Sequence, residues 1–248
     1  MTVYVRKDDE NIDTLRALRG RDYKVADNIT IRQPTIGEIE EFGEQRYTNL
    51  LTPFICTPFD MIAQLDKAGI DFTQITNYQL FSTMLPTIPQ NESKILFGDT
   101  DFTKYKQGET KNGFKLMYED SVISESIYNA ISDYLRKINN LAPPQYKEVG
   151  NEYTKQKMIE YAYDDLQFAK RKKYKSTLST LISRATNHPY FKYKLDEVWD
   201  MKIFAFYDAL NSIHIIEHSN HLYAGAYSGC LDFSKINKKD FNWLRESD

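Results

Sequence analysis

Between Leu195 and Glu217 the chain runs LDEVWDMKIFAFYDALNSIHIIE, with Trp199, Ile203, Phe206, Leu210 and Ile213 recurring at steps of four, three, four and three. That is the spacing of one apolar stripe on an α-helix. Phe204 and Ile216 widen the stripe, and no Gly or Pro interrupts the segment. The pattern predicts one long helix over 195–217 that must bury its stripe against the rest of the chain. The expected fold class is therefore mainly α with a small β element (α+β), its helices packed around the 195–217 helix.

Composition agrees with that class. Apolar residues make up 41% of the 248 and aromatic residues 14%, enough for a folded core. Ten Gly and eight Pro are few for a loop-rich all-β chain. A net charge of −3 and a pI near 5.9 give no general drive toward nucleic acid or anionic membrane. No apolar run approaches the roughly 20 residues that span a bilayer. The opening MTVYVRKDDENID has no apolar signal-peptide core. Two cysteines, Cys56 and Cys230, fit no zinc spacing and suit a reducing compartment. Both are expected as small core residues, and the expected location is the host bacterial cytoplasm.

Thr2–Val5 and Asn28–Arg32 are the strand-like pieces of the first part. Thr35-Ile36-Gly37-Glu38 has the form of a capping box, predicting a helix to about Leu51. Thr57-Pro58-Phe59-Asp60 starts a second helix, which Gly69 ends. Asn77 is the expected cap of a third, stopped by Pro86, and a fourth covers Glu92–Phe97. Gly113–Ser124 suggests a β-hairpin turning at Glu119-Asp120 and pairing with the Asn28–Arg32 strand. Ile127, Ile131, Tyr134 and Ile138 mark an amphipathic helix. The Pro pair in Leu141-Ala142-Pro143-Pro144-Gln145 is the best boundary, dividing an N-terminal part (1–140) from a helical C-terminal part (145–248). Beyond it, 151–173 and 176–187 are expected as helices. Tyr223–Gly229 is expected as a turn, and a short helix after Asn237 with Asp240 at N3.

The sharpest local pattern is His214-Ile215-Ile216-Glu217-His218, followed by His221. On a helix, His214 and His218 face the same way, and H-x-x-E-H is the inverted zincin form. Histidines at a helix end also suit the dipole and the last carbonyls, and that reading is adopted. No catalytic or cofactor-binding residue is assigned, and His214, His218 and His221 stand as the metal candidates. The basic run Lys170–Lys175 is read as a solvated helix end, with phosphate binding and stacking on Tyr174 as the alternative. Asp99 and Asp101 are read as loop residues rather than a metal–nucleotide pair. No Walker motif, G-x-S-x-G or G-x-G-x-x-G occurs. Eighteen Tyr and fourteen Phe imply either an aromatic core or extensive partner contacts.

Three stretches together resemble a family of tail-region proteins of phages and prophages of Gram-positive bacteria. They are Ile31–Ile39 with Gly43-Glu44, Val198–Phe206, and Tyr227–Gly229 with Asp232–Lys239 and Asn242-Trp243. Leu96–Asp99 and Gly150–Lys155 are similar too, so the likeness spans most of the chain. It implies a non-enzymatic tail assembly chaperone, without a cofactor, that keeps the tape-measure protein soluble while tail-tube subunits polymerise. The expected partner is the tape-measure or tail-tube protein, with no membrane and no nucleic acid. The competing readings are a structural virion protein of tail, neck or baseplate, and a zinc-dependent hydrolase built on His214, Glu217 and His218.

Overall fold

The computed structural model describes residues 9–110, 113–144 and 148–245. The expected strand at Thr2–Val5 and the Gln145 end of the boundary lie outside them. Among the described residues the elements run α1 (Asp9–Leu18), β1 (Tyr23–Ala26), β2 (Ile29–Ile31), α2 (Ile36–Phe42), α3 (Glu44–Ile55), α4 (Ile62–Lys67), α5 (Asn77–Met84) and α6 (Gln90–Phe97). Then follow β3 (Lys106–Thr110), β4 (Gly113–Tyr118), β5 (Ser121–Ile123), α7 (Glu125–Ile138), α8 (Glu152–Arg171), α9 (Thr177–Thr186), α10 (Leu195–Val198) and α11 (Ile203–Tyr227). Short 3-10 turns join several of them. The protein is mainly α with two small antiparallel sheets, β1-β2 and β3-β4-β5.

The expected 195–217 helix is two helices. Its break is made by tertiary backbone pairing, which no periodicity reports. Ile36 N–H donates to Met201 O (2.9 Å), Gly37 N–H to Trp199 O (2.9 Å), and Ile203 N–H to Pro34 O (3.0 Å). Thr35 and Lys202 form an isolated antiparallel bridge. The chain therefore leaves the helix after Val198, pairs edge to edge with 34–37, and restarts at Ile203. A Cβ at Gly37 would sit 3.1 Å from Trp199 O, so any larger residue would push that carbonyl back by a few tenths of an ångström. Trp199 gives its carbonyl to this joint and leaves its ring 38% exposed instead of in the stripe.

Side chains close the same joint. Thr35 Oγ1 accepts from Glu38 N–H (3.0 Å) and Glu38 Oε2 accepts from Thr35 N–H (2.7 Å), completing the capping box. Arg32 Nη2 lies 2.8 Å and Lys202 Nζ 3.9 Å from the Glu38 carboxylate. Partial burial acts to raise the Glu38 pKa, but the Thr35 amide, Arg32 and Lys202 outweigh it and hold the carboxyl below its ordinary value. Arg32 N–H reaches Leu96 O (2.7 Å), tying in the end of α6.

Behind the joint lies the main core. Phe54 of α3 is fully buried, with ring centroids 4.9 Å from Phe97 and 6.0 Å from both Phe81 and Phe102. Leu178, Ile182, Val198, Met201, Ile203 and Phe206 from beyond the Pro pair enter the same cluster as Ile29, Ile36 and Ile39 from before it. Buried polar groups are used as pins. Gln33 Nε2 donates to Ala17 O (3.1 Å) and Tyr134 Oη (2.9 Å), Tyr47 Oη to Asn139 Oδ1 (2.8 Å), and Tyr78 Oη to Ile123 O (2.6 Å). Arg136 of α7 donates to Ile55 O at the end of α3 and to Ala142 O (2.7 Å) before the Pro pair. A smaller core of Cys56, Ile62, Leu65, Phe72 and Leu80 seats α8 through Met158, Ile159 and Ala162. Burial pushes the Cys56 thiol up to about 11.

Several expectations need correction. The helix from Thr35 is interrupted at Gly43 (φ 93°), giving α2 and α3. The cap of α5 is Thr76, whose side chain accepts from Gln79 N–H, not Asn77. The hairpin turns at Glu119-Asp120 as expected, but its other neighbour is β3, while β2 pairs only with β1. Lys106–Thr110 was too polar to register as a strand. Tyr223–Tyr227 is helix, not turn, and Cys230 is exposed.

Two outcomes test the joint. Thr35→Ala should cost about 0.5–2 kcal/mol of stability in urea unfolding by loss of the cap. Glu38→Gln keeps the return bond to Thr35 but loses two partly exposed, screened ion pairs, for about 0.2–1 kcal/mol each. Because the folded Glu38 pKa is depressed, that difference should be fully present above the ordinary 4.5 and be lost progressively as pH falls from there through the lower folded value.

Candidate interaction surface

The first half of α11 is embedded: Ile203, Phe204 and Phe206 are buried in the main core. Its last turns leave the core and carry a covering of their own. The chain reverses at Gly229 (φ 74°), and Cys230 and Leu231 N–H both donate to Gly225 O at 3.0 and 3.1 Å. A Cβ at Gly225 would come 2.5 Å from Leu231 Cδ1, so the returning chain lies directly against the helix. Ser219, 1% exposed, donates its hydroxyl to Phe241 O (2.7 Å). Asn237 caps the 3-10 turn Lys238–Phe241 by accepting from Lys239 N–H (3.1 Å), and Arg245 pairs with Asp240 (2.9 Å). The tail thus closes as a small satellite on α11, with Ile215, Ala226 and Phe241 buried.

The outside of that satellite is aromatic. Tyr223 stacks on Tyr227 (6.2 Å between ring centroids) and meets Phe241 edge-on (5.1 Å). Tyr227 is 83% exposed, Trp243 56% and Leu244 71%. Large exposed apolar groups are a common feature of a surface that another macromolecule covers. Tyr and Trp suit it because they bring contact area at little rotamer cost.

The metal candidates lie on the flank of the same helix. His214, His218 and His221 are exposed, with the rings of the first two 6.3 Å apart and nearly parallel. Glu217 faces elsewhere: its Oε1 lies 3.0 Å from His188 Nε2, and His188 Nδ1 accepts from Tyr190 N–H (3.2 Å). With Nδ1 accepting, Nε2 carries the proton and donates to Glu217. The pattern H-x-x-E-H is therefore split, its Glu tying α11 to the loop after α9. Among the described residues no group of three or more His, Cys, Asp or Glu side chains converges as a metal site. His188 was read only as a helix breaker; nothing in the sequence pairs it with a residue 29 positions on.

The basic run occupies the last turn of α8 and the loop after it, its Lys and Arg side chains exposed and Tyr174 half-exposed. Burial, and Glu44 beside it, push the Tyr174 hydroxyl up to about 12. Glu44 itself accepts from Thr177 and Leu178 N–H, both 2.9 Å. Burial acts to raise its pKa, yet these and neighbouring hydrogen bonds hold it below its ordinary value. Asp101 accepts from Thr103 N–H (3.1 Å), and Asp99 pairs with Lys94 (3.5 Å), beside an open depression of about 440 Å³ that Lys104 also lines. No helix among the described residues is long and apolar enough to cross a membrane.

Ser219→Ala removes the buried bond to Phe241 O, worth about 0.5–1.5 kcal/mol net. Trypsin cleavage at Lys235, Lys238 and Lys239 should then quicken by roughly two- to tenfold, since cutting follows the open population. The unfolding midpoint of the main core should hardly move.

Comparison with known proteins gives one family match: residues 170–248 fit the family described as YomV second domain. The matched segment takes in the end of α8, α9 to α11 and the aromatic tail. No curated protein and no solved structure matches the chain. YomV is a protein of Bacillus phages and prophages, so this segment is similar to a domain of a phage-associated family.

Proposed function

We propose that this chain is a non-enzymatic phage protein that works in tail morphogenesis as an assembly chaperone, in the cytoplasm of the infected host. Its partner is the tape-measure protein, or the tail-tube subunit that polymerises around it. The observation that carries this reading is the aromatic tip: Tyr223 and Tyr227 are exposed at the end of α11, Phe241 packs against Tyr223, and Trp243 and Leu244 are exposed just past it, all within the segment similar to a phage-associated family. A long helical polymer presents apolar faces at i, i+3, i+4 and i+7 until it is enclosed, and helix-against-apolar-surface contact suits such a face. The work asked of the protein is reversible covering of that face, which needs no cofactor and no catalytic group. The likeness of Tyr227–Gly229 and Asp232–Lys239 to tail-region proteins supports the same reading.

Co-expression with the tape-measure or tail-tube protein of the same genome tests it. A stable complex with one of them is expected, and Tyr227→Asp with Trp243→Asp should weaken it at least about tenfold, as loss of hot-spot aromatics does. Recovery of neither partner with the unaltered chain would contradict it. Mass spectrometry of purified particles should find the chaperone absent; its presence at stoichiometric level would make it a virion component instead.

A further inference from the structure

We infer that the outward face of α8 is a self-association surface on which a second copy of this chain packs antiparallel. Helix α8 is 20 residues long and contains no buried residue. Its inner side is accounted for: Met158, Ile159 and Ala162 sit on the smaller core, Lys155 pairs with Asp71 (2.6 Å), and Tyr163 Oη donates to Asp66 (2.9 Å). Its outer side carries Tyr153, Tyr161 and Phe168, exposed by 72%, 65% and 69%. At 3.6 residues per turn, Tyr153, Lys157, Tyr161, Asp164 and Phe168 fall within an arc of about 80°. They make one stripe about 22 Å long, three rings separated by a cation and a carboxylate.

The order of that stripe is what selects the occupant. Lay a second α8 across the first in the opposite direction, with Glu160 and Tyr161 at the crossing. Tyr153 then meets Phe168 of the other copy, Lys157 meets Asp164, and the two-fold axis repeats both pairs. The end rings fall on each other, opposite charges meet, and the two Tyr161 rings lie beside the axis, the self-complementarity an isologous interface requires. A parallel arrangement would set Lys157 on Lys157 and Asp164 on Asp164. Within one chain Lys157 already reaches Glu160 and lies 6.0 Å from the Tyr153 ring centroid, so it stands between the rings rather than away from them. Glu160 and Asp164 among the aromatics repel phosphate, which turns this stripe from nucleic acid and anionic lipid. A foreign protein would need this charge order in mirror sequence; a second copy has it by identity. The face lies almost wholly before the segment matched to the phage family and is distinct from the aromatic tip, so this inference stands apart from the proposed function.

The test uses the full chain in sedimentation equilibrium over a concentration series. A helix-pair interface is small, so a monomer–dimer equilibrium near about 10 µM is expected. Lys157→Asp or Asp164→Lys alone should weaken it at least about tenfold, and the double exchange should restore it to within about threefold. In a Cys230→Ser background, Tyr161→Cys should form a disulfide dimer on air oxidation, while Gln156→Cys, off the stripe, should not. A monomer at every concentration, failure of the double exchange to restore, or equal cross-linking at both positions would overturn the inference. So would a monomer that loses tape-measure binding on Phe168→Asp, because the stripe would then belong to that partner.

Discussion

Three backbone hydrogen bonds between 34–37 and 199–203 hold the molecule's two halves in one frame. They are edge-to-edge bonds of the kind strands make, formed here between the N-terminus of one helix and the gap between two others. Buried amides and carbonyls must find partners, and at this point each segment is the other's partner. Breaking the joint would leave Met201 O, Trp199 O and Pro34 O to seek water inside a core that Val198, Ile203, Ile36 and Ile39 keep dry. The geometry of α11 follows from it. Because Ile203 N–H is anchored to Pro34 O, the first turns of α11 are driven into the core, and the later turns run out to the satellite.

Much of this was legible in the chain and some was not, for a consistent reason. Caps are local, so the Thr35–Glu38 box was found where the structure has it, while Thr57 caps a 3-10 turn at Pro58–Asp60 rather than the helix itself, which begins at Ile62. The amphipathic period of α7 was equally plain, because its burial alternates with its own sequence. The break at 199–202 was invisible, since the apolar spacing runs through it without interruption and the cause lies more than 160 positions away. Gly43 was passed over inside an apparently continuous helix, although its positive φ is what turns α2 into α3. The third strand, Lys106–Thr110, carries the polar composition of a loop and is a strand because β4 pairs with it. Of the surface, the abundance of Tyr and Phe left an aromatic core and partner contacts equally open, and only the fold-back of the tail onto Gly225 brings Phe241 against Tyr223. The histidines were read as lying at a helix end, but α11 runs on to Tyr227, so they sit on its flank, and Glu217 of the pattern is engaged by His188.

Two stretches that drew the family resemblance, Ile31–Ile39 and Val198–Phe206, meet at the joint, and Leu96 of a third gives its carbonyl to Arg32. The resemblance therefore rests largely on residues that build the frame. The exposed tip, hung on the free end of α11, is where chemistry toward a partner is available. The division is physical: the frame is held by buried backbone bonds, and the tip by one buried hydroxyl and a few aromatic contacts. Low local stability is common in surfaces that reorganise on binding, and the proposed function would draw on it.

Amide hydrogen exchange on the protein alone and in the presence of the proposed tape-measure partner puts that division to the most direct test. The account predicts slow exchange at Ile36, Gly37 and Ile203 in both states, fast exchange across 223–245 in the free protein, and new protection there on binding. Unchanged exchange at the tip, with protection appearing instead around His214, His218 and His221, would contradict it.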